Sequence, residues 1–228
     1  MFDRVLCVNL DRRADRWSAF RARLPSDWPF APVERWQAVD GQAEHPPRWY
    51  GHDANQRERL RGAWGCLQSH LAIWRECAGT CPGGVLIFED DAVLCRDFAT
   101  RARAFCEALP ADWDQAYFGG QHLYHDRLAP LEVSAEVIRG RCVNRTHAYA
   151  IRPRMMRALV ERLGGEFDAH HFRDFHVDHQ IDQLHATGTW NIYCPREWLA
   201  GQAAGGSDVM QGSRIFKTLW WKEFPVLE

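Results

Sequence analysis

The stretch from Val85 to Val93, Val-Leu-Ile-Phe-Glu-Asp-Asp-Ala-Val, restricts this chain to few architectures. Four consecutive apolar residues, two of them β-branched, follow the turn signal Pro82-Gly83-Gly84. That is the pattern of a strand buried on both faces in the middle of a helix-covered α/β sheet. Instead of a neutral end, the strand finishes in Glu89, Asp90 and Asp91, which repel one another and lose hydration unless a cation sits among them. Strand alternation places Glu89 and Asp91 on one face and Asp90 on the other. The carboxyl end of a central strand is also where open α/β sheets take ligands. Hard oxygen donors suit Mg²⁺ or Mn²⁺, shared with the phosphates of a substrate. The alternative is a loop-facing acidic cluster or a set of helix N-caps.

Upstream, Val5-Leu6-Cys7-Val8 reads as a first strand and turns polar at Asn9. A helix follows with Trp17, Phe20 and Leu24 as its apolar stripe and Asp11 as its N-cap. Arg12, Arg13 and Arg16 then lie beside a helix N-terminus, a setting that favours a diphosphate; a solvated first turn with Arg–Asp pairs is the other reading. Glu34 to Val39 reads as a second strand ending at the Asp40-Gly41 turn, where Asp40 is either a turn former or an acceptor for a base or ribose. Residues 44–59 form a long polar loop that could close over a substrate. Gly62 to Ala78 is a helix with little polar face, so Ser69 and His70 fall at a core boundary and need partners.

Further on, Asp97 can cap a helix bearing Phe98, Ala102, Phe105 and Leu109. Ala116 to Phe118 reads as a short strand ending in a flexible loop, Gly119-Gly120-Gln121-His122. The stretches 133–143 and 147–151 read as a hairpin through Asn144-Arg145-Thr146. Pro153 opens a helix that Gly164-Gly165 closes. The segment 168–185 gathers Asp168, His170, His171, Asp174, His176, Asp178, His179, Asp182 and His185. Its helical part puts Val177, Ile181 and Leu184 inward, with Asp178, Asp182 and His185 on an adjacent stripe that could supply a general base. The histidines lack the spacing of a zinc site and are expected on a solvated face. Trp190 to Cys194 is a last strand, 202–213 is loop material, and the basic, aromatic tail carries Arg214, Lys217, Trp220, Trp221 and Lys222.

A formal charge of −2 over 228 residues argues against a protein that grips long nucleic acid by bulk electrostatics. Eight scattered cysteines without a Cys-x-x-Cys pair exclude a zinc ribbon or redox motif and are expected as reduced, mostly buried thiols. With neither a signal peptide pattern nor a run of transmembrane length, a cytoplasmic location is expected.

Several of these stretches resemble glycosyltransferase family 25, which includes lipooligosaccharide enzymes and the procollagen galactosyltransferases. The resemblance is carried by Val-Asn-Leu-Asp-Arg-Arg-Ala-Asp-Arg-Trp at 8–17, Ala38-Val39-Asp40-Gly41, the run Gly65 to Trp74, and Val85 to Val93, in that order and spacing. Segments 148–151, 177–178 and 202–208 are similar more weakly. The resemblance implies a single-domain, Rossmann-like GT-A fold with a central mixed sheet flanked by helices. It also implies an inverting transfer of a hexose, galactose or glucose, from a UDP-sugar. Within 1–228, residues 1–120 would form the nucleotide-sugar and metal half, 121–213 the acceptor half and 214–228 a tail at the inner membrane face. Glu89 and Asp91 would hold Mn²⁺ or Mg²⁺. Asn9, Leu10, Arg13, Arg16, Asp40, Ser69, His70 and Asp90 would line the nucleotide site, and the general base would be Asp178, ahead of Asp174 and Asp208. The chain lacks the second domain and reticulum signals of the collagen-modifying enzymes, so a bacterial or phage surface saccharide or glycolipid is the expected acceptor. A hydroxylated DNA base is the second acceptor reading, and a non-catalytic sugar- or nucleotide-binding protein the reading from another class.

Overall fold

The computed structural model describes residues 1–167, 175–209 and 214–215, with the backbone alone at His125, Arg214 and Ile215. Asp174, the tail residues beyond 215, and Asp168, His170 and His171 lie outside the described residues. In chain order the elements are β1 (Arg4–Asn9), a 3₁₀ turn (Asp11–Arg13), α1 (Ala14–Ala22), β2 (Val33–Gln37), α2 (Ala54–Arg59), α3 (Arg61–Thr80), β3 (Val85–Glu89), β4 (Ala92–Leu94), α4 (Phe98–Ala108) and β5 (Gln115–His122). They continue with α5 (His125–Leu128), β6 (Leu131–Glu132), β7 (Val137–Arg139), β8 (Val143–Ile151), α6 (Pro153–Leu163), α7 (Val177–Ala186), β9 (Ile192–Pro195), β10 (Ala200–Gln202), β11 (Gly205–Gly206) and β12 (Arg214–Ile215).

Eight strands form a mixed sheet in the order β2-β1-β3-β8-β5-β9-β7-β6. β1 runs parallel to both β2 and β3, while β8 lies antiparallel between β3 and β5. The alternation of β3 sorts its side chains between two cores. Val85 and Ile87 join Leu6, Tyr149, Leu71 and Trp74 on the side of α3, α6 and α7. Leu86 and Phe88 join Cys7, Phe20, Ala150 and Phe105 on the side of α1 and α4. Covering both faces is what makes a continuous apolar run favourable in a central strand. The parallel register sets Val8 opposite Glu89 and Asn9 opposite Gln37, so the polar ends of three strands meet at one edge. This is the architecture of the Rossmann-like GT-A type.

Several local expectations are corrected. Gly119 to His122 is strand, not loop: β10 crosses so closely that a Cβ on Gly119 would lie 2.3 Å from Ala200 O, and glycine is the residue that admits it. Asn144-Arg145-Thr146 is not a hairpin turn but the start of β8, and β7 pairs with β9 instead. Arg145 has a φ of 86°, which kinks the strand while leaving Asn144 and Thr146 paired to other elements. Neither Asp11 nor Asp97 caps a helix: Asp11 accepts from Arg35 and Gln37, and Asp97 sits at a φ of 56° without a capping bond. The 44–59 loop contains α2, capped by Asp53, and its Tyr50 is buried against Trp64 and Phe175. Loop 202–213 contributes to β10 and β11. The eight thiols are free, and seven are buried.

Candidate functional site

The polar strand ends open into a cavity of about 740 Å³, bounded by the Leu10–Arg16 segment, the Asp40–Gln42 turn, one face of α3, residues 89–91, Arg145–Thr146, the start of α7 and residues 202–209. Two glycines bring the turn and helix together. A Cβ on Gly41 would lie 1.7 Å from Arg61 O, and one on Gly65 would lie 2.6 Å from both Gly41 N and Val39 O. Ser69 completes the seam, its hydroxyl accepting from Val39 N–H at 2.8 Å and donating to Gly65 O at 2.7 Å. Because the obstacle is backbone, Gly41→Ala is expected to cost at least ~2 kcal/mol and to lower Tm by roughly 5 °C or more, read by thermal unfolding. A shift within 1 °C would show that the turn can move away from α3.

The three carboxylates are held differently. Glu89, on the α3 side, accepts from Thr146 Oγ1 at 2.6 Å and faces His70 Nε2 at 3.6 Å. Burial raises the Glu89 pKa, but His70 and Thr146 outweigh it and hold the carboxyl low. His70 Nδ1 lies 2.8 Å from the Tyr149 hydroxyl, which itself accepts from Trp74 Nε1. With that hydroxyl's proton turned to Nδ1, the His70 proton sits on Nε2 and points at Glu89. Asp90, on the other face, is buried and accepts from Asn9 Nδ2 at 2.7 Å and Arg16 at 3.2 Å. Asp91 differs from both, since its Oδ1 is buried with no hydrogen-bond partner among the described residues. Burial, then Glu89 and Asp90, pushes its pKa up to about 7.

Opposite them stand the arginines. Asp208 accepts from Arg12 at 2.8 Å and Arg13 at 2.6 Å and lies 3.4 Å from Arg16. Arg16 also donates to Gly206 O, tying residues 205–208 to α1. Asp40 accepts from Arg12 Nε at 2.7 Å and from Gln42 N–H, which outweigh burial and hold its carboxyl low. Asn9 spends its amide on Asp90, Arg13 O and Arg35, and Leu10 lines the wall.

Of the residues singled out in the sequence, Asn9, Leu10, Arg13, Arg16, Asp40, Ser69, His70, Glu89, Asp90, Asp91, Asp178 and Asp208 all line this cavity or bond to residues that do. The sequence did not point to Thr146 and Asn144, whose polar triplet reads locally as a turn. Nor did it show that Asp182 and His185, on the stripe beside the apolar face of that helix, are themselves buried.

Two donor sets could take a cation. The first is Asp91 with its acidic neighbours: an unpartnered, buried carboxylate oxygen fits a hard divalent ion. The second is Cys66, His70 and Glu89, with one ligand atom each within 4.8 Å of one another. It fits less well, since burial, then Glu89, Asp178 and Asp91, raise the Cys66 thiol far above its ordinary range.

The fold and the acidic strand end thus define an α/β protein of the Rossmann-like GT-A type. The model of glycosyltransferase family 25 (LPS biosynthesis protein) matches residues 2–170, and the chain belongs to that family. It is 28% identical over 173 residues to the inactive glycosyltransferase 25 family member 3 of Homo sapiens, covering 70% of this chain and 29% of the human protein. Procollagen galactosyltransferase 2 of Mus musculus is 27% identical over 135 residues, 54% of this chain and 21% of the mouse protein. The chain therefore spans under a third of the length of these curated relatives. Among the described residues no helix is long and apolar enough to cross a membrane.

Proposed function

We propose that this chain transfers a hexose, galactose or glucose, from a UDP-sugar to a hydroxyl of a saccharide or glycolipid acceptor, with inversion and with Mn²⁺ or Mg²⁺ held at Asp91. The observation that carries the reading is the buried, unpartnered Oδ1 of Asp91, with two further carboxylates beside it and three arginines across the cavity. A buried carboxylate without a donor is costly alone and is stabilised by a divalent cation. When bound, such an ion neutralises a diphosphate as it becomes the leaving group.

The protein's own groups do the rest. Arg13 and Arg16, with Arg12, receive phosphate oxygens in place of Asp208. Asn9 and Arg16 fix Asp90, Thr146 fixes Glu89, and Ser69 sets the turn that presents Asp40 to the nucleoside. His70 faces Glu89 from beneath, its Nε2 lying 3.6 Å from the carboxylate. Residues 1–120 furnish most of the donor side, and the start of α7, with Asp178, furnishes the acceptor side, where a base removes the hydroxyl proton as the oxygen attacks the anomeric carbon.

Binding and hydrolysis across a panel of nucleotide sugars, with and without Mn²⁺, test this. Metal-dependent binding and slow hydrolysis of one UDP-hexose are expected. Absence of binding to every donor with metal present would leave the acidic strand end as a structural feature of a chain that keeps only the fold.

A further inference from the structure

Arg12 and Arg13, in the turn after β1, and Arg16, in the first turn of α1, are each oriented by a carboxylate of their own. Arg12 donates through Nε to Asp40 at 2.7 Å, Arg13 through Nε and Nη2 to Asp15 at 3.1 Å each, and Arg16 through Nη1 to Asp90 at 3.2 Å. The three guanidinium groups thereby converge on one place in the cavity, and a fourth carboxylate stands there. Asp208 Oδ1 accepts from Arg12 at 2.8 Å, while Oδ2 accepts from Arg13 at 2.6 Å and lies 3.4 Å from Arg16. Its two oxygens meet the arginines as two oxygens of a phosphate would.

A strap running on from β10 brings Asp208 to that place. Ala203 N–H donates to Asp91 O at 2.7 Å, which ties the strap's start to the acidic motif. Its far end lies on α3, where a Cβ on Gly62 would stand 2.1 Å from Asp208 O and 2.6 Å from Val209 O. Between these ends Gly205 and Gly206 have open space: among the described residues a Cβ on either would meet only the Arg16 guanidinium, 4.0 Å from Gly205. Two successive glycines let the backbone there change course at little steric cost. The Asp208 side chain is 19% exposed and that of Arg12 is 42% exposed, and ion pairs in such a setting hold weakly enough to exchange.

Resting on the transfer reaction above, we propose that residues 203–209 are an autoinhibitory strap: in the donor-free protein Asp208 occupies the diphosphate position, and an arriving diphosphate displaces it. Donor affinity is then the difference between two anions competing for the same three arginines. A monoanion brings no more charge than Asp208 already supplies, so the strap also discriminates in favour of diphosphates.

The test titrates the full chain with UDP in the presence of Mn²⁺ and with inorganic pyrophosphate in the presence of Mg²⁺. Asp208→Asn removes the charge and keeps the shape, and both anions are expected to bind it about tenfold more tightly than they bind the wild type. Gly62→Ala displaces the same backbone with every charge left in place, and a gain of about threefold is expected. In the wild type, saturating UDP is expected to speed amide hydrogen exchange across 203–209. Affinity for UDP in Asp208→Asn within twofold of wild type or weaker, or exchange across 203–209 that UDP slows, overturns the strap, because Asp208 would then remain with the donor. Tighter pyrophosphate binding in Asp208→Asn with UDP bound by neither protein keeps the strap and overturns the nucleotide-sugar reading. Failure of both proteins to bind either anion overturns both.

Discussion

Asp91→Asn is expected to abolish metal-dependent binding of UDP and, at pH 8 without metal, to melt higher than the wild type. Both effects come from one carboxylate. In the folded chain its pKa is pushed up to about 7, by burial first and by Glu89 and Asp90 next. A carboxyl group whose folded pKa lies above its unfolded value destabilises the fold at high pH, and the cost disappears as pH falls through the folded pKa. Ionising it in the folded chain therefore costs on the order of a few kcal/mol. Asparagine carries no charge to desolvate, so the variant is relieved of this cost. With ~1 mM Mn²⁺ the order is expected to reverse, since only a site that binds in the folded state gains from mass action. Thermal melts of both proteins at pH 8 and pH 6, with and without Mn²⁺, measure this. A metal-induced rise in Asp91→Asn equal to that of the wild type would move the cation to another donor set, with Cys66, His70 and Glu89 the first to examine.

The second large effect is acid lability from His185. Its Nδ1 accepts from Val143 N–H at 3.2 Å and its Nε2 proton points at Gln115 Oε1, 2.9 Å away. A second proton would meet the Val143 N–H head on. Burial accordingly lowers its pKa to about 3, and that of His147 to about 4. The ordinary unfolded value is ~6.5, so the unfolded chain takes up a proton that the folded chain refuses. Stability from this histidine is complete above that value and is lost as pH falls toward 3, at up to ~1.4 kcal/mol per pH unit. His185→Gln keeps an acceptor and a donor without the titration. Urea midpoints between pH 6.5 and 4.5 are expected to fall more steeply in the wild type, by up to ~3 kcal/mol over that window. Asp90, Asp91 and Asp182, raised by burial, act in the opposite direction but are common to both proteins. Superimposable slopes would mean that His185 protonates without penalty.

Legibility followed the range of the interaction. The run Val85–Phe88 announced a central strand because burial on both faces leaves a purely local mark. Trp17, Phe20 and the stripe of α3 did the same for their helices. The pairing of β8 between β3 and β5 left no such mark. Asn144-Arg145-Thr146 carries the side chains of a turn, and only a carboxylate on α7 and another on β3 explain why polar residues stand in a strand there. Gly119 reads as flexibility until β10 is seen against it. At the site, the acidic motif and the arginines were legible as chemistry in search of an ion and an anion. That Asp208 already occupies those arginines was not, because nearly two hundred residues separate them in the chain. Likewise, the three-residue spacing of His179 and Asp182 is visible, but the burial of Asp182 depends on β8.

β8 also has a metrical consequence. Asn144 and Thr146 are two residues apart, and a chain cannot stretch that step beyond ~7 Å between Cα atoms. The distance from the acidic cluster to Asp182 on α7 is thus ruled off by peptide geometry rather than by the reach of a loop. Lengthening or shortening any surface connection leaves that gauge unaltered, so changes in the outer loops can vary which molecules enter while the spacing of the groups that meet them is inherited intact.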